Sequence, residues 1–186
     1  MVSSASTTAT RPPGAQALTA ITGAARASGA LRISARADYA LRAAIELAVA
    51  HDQQRATKRD AIGRLQDIPV KFLETVLGDL RHHGIVCSQR GVEGGYWLAR
   101  PPAEITVADV IRAVSGSLAS VRAHRPEDLH YSGSAEPLQG VWIAVRAAIR
   151  EVVETVTLAD LASNELPAHV RKLAADPGAW KARDAG

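Results

Sequence analysis

Cysteine is almost missing from this chain: Cys87 stands alone. No internal disulfide can form, and one thiol cannot assemble a cysteine-based metal site. A lone cysteine fits a reducing cytoplasm. Aromatic residues are scarce at 4%, so the core must be built from Ala, Val, Leu and Ile, a balance that leans helical. No apolar run approaches the roughly 20 residues of a bilayer-spanning helix. Residues 1–30 contain no acid and are rich in Ser, Thr, Ala, Gly and Pro. They lack the apolar core of a secretory signal, and a disordered extension is the expectation, with a start codon set too far upstream as the alternative. The signatures of catalysis are missing too. There is no Gly-x-Ser-x-Gly, no His-Glu-x-x-His and no dinucleotide fingerprint, so an enzyme is not expected.

What is present is a chain of 186 residues, 47% hydrophobic, with a formal charge of +3. That length suits one domain plus an extra element. From Leu31 to Arg100 basic residues outnumber acidic ones; from Pro101 onward acidic residues slightly outnumber basic ones. Such a split points to a front half that meets a polyanion, or to an ordinary surface.

Ile33, Tyr39, Ala40, Ala43, Ala44, Leu47 and Ala48 recur at helical spacing and predict a helix from about Ala35 to Ala50. Thr57 is placed to cap a second helix with Ala61, Ile62 and Leu65 on its apolar face. Gln66 to Pro69 reads as a short turn, with Pro69 at a helix start. Val70 to His83 then gives a third helix, with Phe72, Leu73, Val76, Leu77 and Leu80 as its buried stripe and Gly84 as a left-handed cap. Two short helices joined by a tight turn form a helix-turn-helix pattern. Two β-prone runs follow, Ile85–Arg90 and Tyr96–Ala99, around a loop rich in glycine. They predict a hairpin, which directly behind a helix-turn-helix is a wing. Thr106 is expected to cap a short helix through Val114, with Asp109 at its third position. Leu138, Val141, Trp142, Val145, Ile149, Val152 and Val156 mark a long amphipathic helix. Its apolar face needs a cover, either the same helix of a second subunit or its own domain. The tail after Pro167 shows no clear period.

The loop at Arg90–Gly95 invites a phosphate-loop reading, but no Gly-Lys-Ser or Gly-Lys-Thr follows and no helix opens behind it. As a wing tip it lets the hairpin turn sharply, and Arg90 supplies a charge to a phosphate or a narrow minor groove. The third helix is the candidate reading element, because side chains in the first turns of such a helix reach base edges. There Lys71 can donate to guanine or a phosphate, Glu74 can accept from a cytosine amine, and Thr75 can meet a thymine methyl. The pattern alone fits a unit that binds DNA or one that binds only protein. His124, Glu127, Asp128 and His130 form a dense ligand-like group, but without rigid spacing a solvated loop is the plainer reading. His82 and His83 adjoin a helix end, where protonated His meets a favourable dipole.

Three segments carry a family likeness: "LRISARADYALRAAIELA", "IPVKFLETVLGDLRHHGIVCSQRGVEGGYWLARPPAEITVADVIRAV" and "VTLADL". On these the chain resembles the Rrf ("Rrf-two" type) family of bacterial winged helix-turn-helix transcription regulators. The resemblance implies a third helix in the major groove and a wing arginine in the minor groove. It implies base or groove contacts for Lys71, Glu74, Thr75, Arg90 and Gly91, and DNA-backbone contacts around Arg36 and Tyr39. It also implies that the helix from Leu138 is the dimer interface. Sensor members hold an iron–sulfur cluster on three cysteines in the loop before that helix. Here the corresponding loop, residues 117–139, has no cysteine, so no cluster and no other cofactor is expected.

The fold class expected is therefore mainly α with a small β-hairpin: a winged helix-turn-helix domain plus a long C-terminal dimerisation helix. The organisation is an extension over 1–30, a DNA-binding domain over 31–115, a loop over 116–137, a dimerisation helix and following helical piece over 138–163, and a tail over 164–186. The expected partners are double-stranded DNA and a second copy of the chain, with the 117–139 loop open to a metal or small-molecule effector and no role for a membrane.

Overall fold

The structure is a computed structural model and describes residues 33–51, 55–122 and 124–181. The extension expected over 1–30 lies outside the described residues. Among the described residues the chain is mainly helical, with one two-stranded antiparallel sheet, the class that its periodicity predicts.

Helix α1 (Ala35–His51) runs through the centre of the core. The Ser34 hydroxyl accepts the Ala37 N–H at 3.1 Å and so caps its start. Its buried face is Ala37, Ala40, Ala43, Ala44, Leu47 and Ala48. A face made mostly of alanine allows neighbouring helices a close approach.

Helices α2 (Arg59–Gln66) and α3 (Val70–His82) form the helix-turn-helix. Asp67 ends α2 in the left-handed region at φ 50°, and the Ile68 N–H returns to the Gly63 carbonyl at 3.0 Å. Gly63 leaves this turn room: a Cβ there would stand 3.3 Å from the Ile68 oxygen, which would have to give by a few tenths of an ångström. Arg42 of α1 pins the turn by donating to the Gln66 carbonyl at 2.6 Å. Leu73, Val76, Leu77 and Leu80 of α3 are buried. Gly84 follows α3 with φ 68°, and the Ile85 N–H bonds the Leu80 carbonyl while the Gly84 N–H bonds that of Arg81. This pair of bonds is the Schellman arrangement, and buried Ile85 and Leu80 supply the apolar contact that accompanies it.

Three details depart from the sequence expectation. Thr57 does not cap α2. Its backbone exchanges both hydrogen bonds with Tyr96, at 2.8 and 2.9 Å, because the second wing strand needs a partner on its outer edge. Lys58 takes the capping position, without a side-chain cap. Phe72, assigned to the buried stripe, is 57% exposed, and Leu65 is 66% exposed. The buried face of α3 is taken by Leu73, Val76, Leu77 and Leu80, and that of α2 by Ile62 and Gly63.

Strands β1 (Val86–Gln89) and β2 (Gly95–Leu98) pair in the register Val86 with Leu98 through Gln89 with Gly95. Helix α4 (Val107–Ser115) opens on a full capping box: Thr106 accepts from the Asp109 N–H, and the Asp109 carboxylate accepts from the Thr106 N–H. After a loop with turns at Pro126–Asp128 and Gly133–Ala135, α5 (Leu138–Val153) begins. Helix α6 (Leu158–Ser163) opens on a second box, built from Thr157 and Asp160. The two box threonines face each other as a β-bridge, with the Val107 N–H on the Val156 carbonyl at 2.9 Å and the Leu158 N–H on the Ile105 carbonyl at 2.8 Å. The chain thus leaves the core after α4 and returns beside the start of that helix. The segment read as a tail without a period contains a helix, α7 (Ala168–Ala174), and a turn at Pro177–Trp180. The helix is too short for a period to show.

Candidate nucleic-acid interface

The buried residues of α3 fix which of its side chains face outward. Val70, Lys71, Phe72, Glu74, Thr75, Arg81 and His82 are exposed. Of the three positions proposed to read bases, Lys71 enters no ion pair among the described residues and carries its ammonium into solvent. Glu74 is engaged instead: Arg59 at the start of α2 forms an ion pair with its carboxylate. The Thr75 hydroxyl donates to the Lys71 carbonyl at 3.3 Å, which leaves its methyl and its acceptor lone pairs outward. The other acid of α3, Asp79, is paired with Arg36 of α1. Both negative charges of the helix are therefore paired from neighbouring elements, although Asp60 shares Arg59 at 3.2 Å, and Lys71 and Arg81 enter no ion pair among the described residues.

The two α1 residues implied as backbone contacts both lie against α3. Arg36 meets Asp79, and the Tyr39 ring meets that of Phe72 edge-on, with centroids 5.9 Å apart. Arg42 stacks over Tyr39 at 5.0 Å. Tyr39, Phe72 and Arg42 thus form one aromatic–cationic group beside the first turn of α3. Phe72 lies on the same exposed face as Lys71 and Thr75, although the sequence pattern placed it in the core.

The wing tip is held more tightly than its glycines suggest. Gly91 has φ 113°, and the Gly94 N–H closes the turn on its carbonyl at 3.1 Å. A Cβ on Gly94 would lie 2.2 Å from the Gln89 oxygen, and one on Gly95 would lie 2.8 Å from the Thr57 oxygen. Both positions therefore exclude any side chain. Lys58 reaches across from the start of α2 and donates to the carbonyls of Gly91 and Val92. Arg90 is exposed and enters no ion pair among the described residues. A cleft of about 390 Å³ lies between wing and α2, bounded by Lys58, Arg59, Arg90 and Tyr96. Sequence reading missed Lys58 and Arg59. The basic pair at the start of α2 was a visible signal, but the reach of Lys58 to the wing spans 33 residues and had none.

Along α5 no residue is buried. Leu138, Trp142, Val145, Ile149 and Val152 are half-buried, and Val141 is 51% exposed. Val156, proposed for the same apolar stripe, lies elsewhere. It is beyond the end of α5, only 4% exposed, and bonded through its carbonyl to the start of α4. The helix ends at Val153 and the chain turns back into its own core, so no second chain can meet that side chain.

The loop before α5 was read as open to a metal. The Glu127 carboxylate is paired with Arg146. His124 and His130 each place Nδ1 on a backbone carbonyl, of Arg122 at 2.8 Å and of Asp128 at 3.2 Å. Among the described residues no three His, Cys, Asp or Glu side chains converge on a metal-sized site. The single cysteine sits on β1 opposite Trp97, not in this loop. These donors do not fit an iron–sulfur cluster, whose ligands are thiolates. Among the described residues no helix is long and apolar enough to cross a membrane.

Comparison with known proteins agrees with this geometry. Residues 33–164 match a family model described as Rrf2, iron-dependent transcriptional regulator. A Mycobacterium tuberculosis protein assigned as an HTH-type transcriptional regulator is 49% identical over 146 residues, covering 78% of this chain and 90% of its own. The solved structure of CymR, the global cysteine regulator of B. subtilis, superposes with a TM-score of 0.62 at 34% identity, covering 73% of this chain and 98% of that one. IscR of T. potens superposes at 0.58 with 29% identity, covering 82% and 93%. With its basic α3 surface, its wing and this shared architecture, the chain belongs to the Rrf2 family, as a winged helix-turn-helix transcription regulator that binds DNA and not as an enzyme.

Proposed function

We propose that this protein is a homodimeric repressor that binds a palindromic operator in the cytoplasm. Each α3 enters a major groove, where Lys71 and Thr75 address base edges and Phe72 meets a thymine methyl. Glu74 does so only after exchanging Arg59 for a cytosine amine. Each wing lays Arg90 along the adjoining minor groove, with Gly91 allowing the backbone close. Tyr39 and the uncapped first amides of α2 hold the phosphates, and Arg36 and Lys58 stand beside them while bonded to Asp79 and to the wing carbonyls. The observation that carries this reading is that both α3 acids are held in ion pairs, Asp79 by Arg36 and Glu74 by Arg59, which Asp60 shares, while Lys71 and Arg90 are exposed and enter none among the described residues.

The dimer forms through α5, along Leu138, Val141, Trp142, Val145, Ile149 and Val152. A helix of 16 residues without one buried side chain in its own chain supports this. Two-fold pairing presents two reading heads to half-sites about one helical turn apart. Occupancy of the operator then blocks transcription.

The test is binding of the purified full chain to its own promoter region against scrambled DNA, at low and at moderate salt. Tight binding that favours the promoter and survives moderate salt is expected. Equal, weak binding to both DNAs that collapses with salt would mean phosphate attraction alone and would sink the specific-repressor reading.

A further inference from the structure

One cluster of charge lies away from the α3–wing surface. A cavity of about 440 Å³ opens between the end of α4, the following loop and α5. It is lined by Arg112 of α4, Arg125 of the loop, Arg146 and Arg150 of α5, with Glu127 and Leu118 between them. Like charges gather at a cost unless something of opposite sign offsets them. The carboxylates present only half do so. Glu127 pairs with Arg146, and Glu154 pairs with Arg112 and lies 3.6 Å from Arg150. Four guanidiniums against two carboxylates leave an excess of two positive charges. Arg125 enters no ion pair among the described residues. Arg146 is the least exposed member, with 15% of its side chain accessible, so an anion reaching it meets a charge that water screens little.

The field is felt by the resident acid. The Glu127 carboxyl is held below its usual 4.5 first by its own backbone N–H, then by Arg146 and Arg125, against the opposing push of desolvation. Glu127 and Glu154 serve to orient guanidiniums, whose planar forks match carboxylate and phosphate oxygens. Leu118 gives the cavity one apolar wall.

We propose that this cavity binds a small dianion with a short apolar stretch, either a dicarboxylate or a phosphate monoester, and that the anion sets how α5 lies against the DNA-binding head. Arg112 belongs to the head and Arg146 and Arg150 to α5, so a ligand held by both bridges the joint. The regulatory half of this inference rests on the dimeric-repressor reading. The binding half does not.

The experiment titrates the full chain with succinate and with inorganic phosphate, each against sodium chloride of matched ionic strength, by calorimetry and thermal unfolding. The expected result is saturable binding of one anion per chain and a Tm rise of about 3–6 °C at a tenfold excess over Kd. Arg125→Ala, an exposed side chain without a structural partner, should bind at least about tenfold more weakly. Arg150→Gln serves as the second variant. Succinate alone saturating would identify a dicarboxylate site, and phosphate alone a phosphate site. No saturable binding to either probe, or equal binding by the parent and both variants, overturns the proposal. Operator affinity with and without the saturating anion is read in parallel. Saturable anion binding without any DNA binding would remove the repressor reading and leave the site standing.

Discussion

Helices α3 and α5 are both amphipathic and similar in length, with 13 and 16 residues. Their fates within one chain are opposite. Helix α3 buries Leu73, Val76, Leu77 and Leu80 completely against α1 and α4. Helix α5 is richer in apolar side chains, yet none of them is buried. Apolar content therefore shows that a helix needs cover and does not show who provides it. The head is finished by its own chain. The arm is tied to the head by the Arg112–Glu154 ion pair and to the loop before it by Gln139, whose amide donates to the Pro126 and Glu127 carbonyls, and its apolar face is at most half-buried.

The contrast can be broken first on the side of α3. Leu77→Ala empties a fully buried position and should cost about 2–5 kcal/mol in denaturant unfolding; a cost below about 1 kcal/mol would mean that the head is not closed by its own core. On the side of α5, Ile149→Glu should leave the head's cooperative unfolding in place while raising the dimer dissociation constant about thirtyfold or more. Sedimentation that finds an unchanged dimer would remove α5 from the interface. The outward face of the head is sharpened next. Arg90→Ala should lose about 1–3 kcal/mol of operator affinity without changing stability, and equal binding would strip the wing of its role. Smaller still, Thr106→Ala removes one capping box and should cost about 0.5–2 kcal/mol of stability, checked by Tm. The least effect concerns pH. The Glu127 carboxyl is depressed below 4.5 in the folded chain. Its contribution is therefore present above that value and fades as pH falls through the lower folded value. Glu127→Gln should flatten that part of the acid limb, and a pH–stability curve that overlays the parent's would contradict the assignment.

Much of the head was legible because local chemistry decided it. The apolar period of α3, the glycine after it and the Thr106–Asp109 spacing each act within a few residues, and the folded chain uses them as expected. What was not legible depended on distant partners. Thr57 has the chemistry of a cap, but the open edge of β2 claims its backbone. Phe72 keeps the spacing of a core residue, but Tyr39 meets it at the surface instead. Lys58 clamps the wing from far away in sequence, and nothing local signals it. Of the residues proposed to meet the groove, the sequence placed Lys71, Glu74 and Thr75 outward on α3, where they lie. It could not show that Arg59 already occupies Glu74, nor that Arg36 occupies Asp79. The arm hid most, since Val156 continues the spacing of the α5 stripe while the chain has already turned back into the core.

The bridge between Thr106 and Thr157 has a consequence for how such a chain can change. Helix α4 runs from that spot into the core of the head, and the chain beyond it, residues 116–156, comes back to the same spot, as a handle is riveted at both feet. The loop-closure entropy of that segment is already met by the paired backbones and by two neighbouring capping boxes, and it grows only slowly with length. The handle can therefore be lengthened, shortened or exchanged for one of different chemistry without shifting the register of the DNA-binding head. A chimera that keeps α4, both threonines and their aspartates and carries a foreign segment in place of residues 116–156 should retain the fold of the head and take on the pairing and ligand preference of the donor.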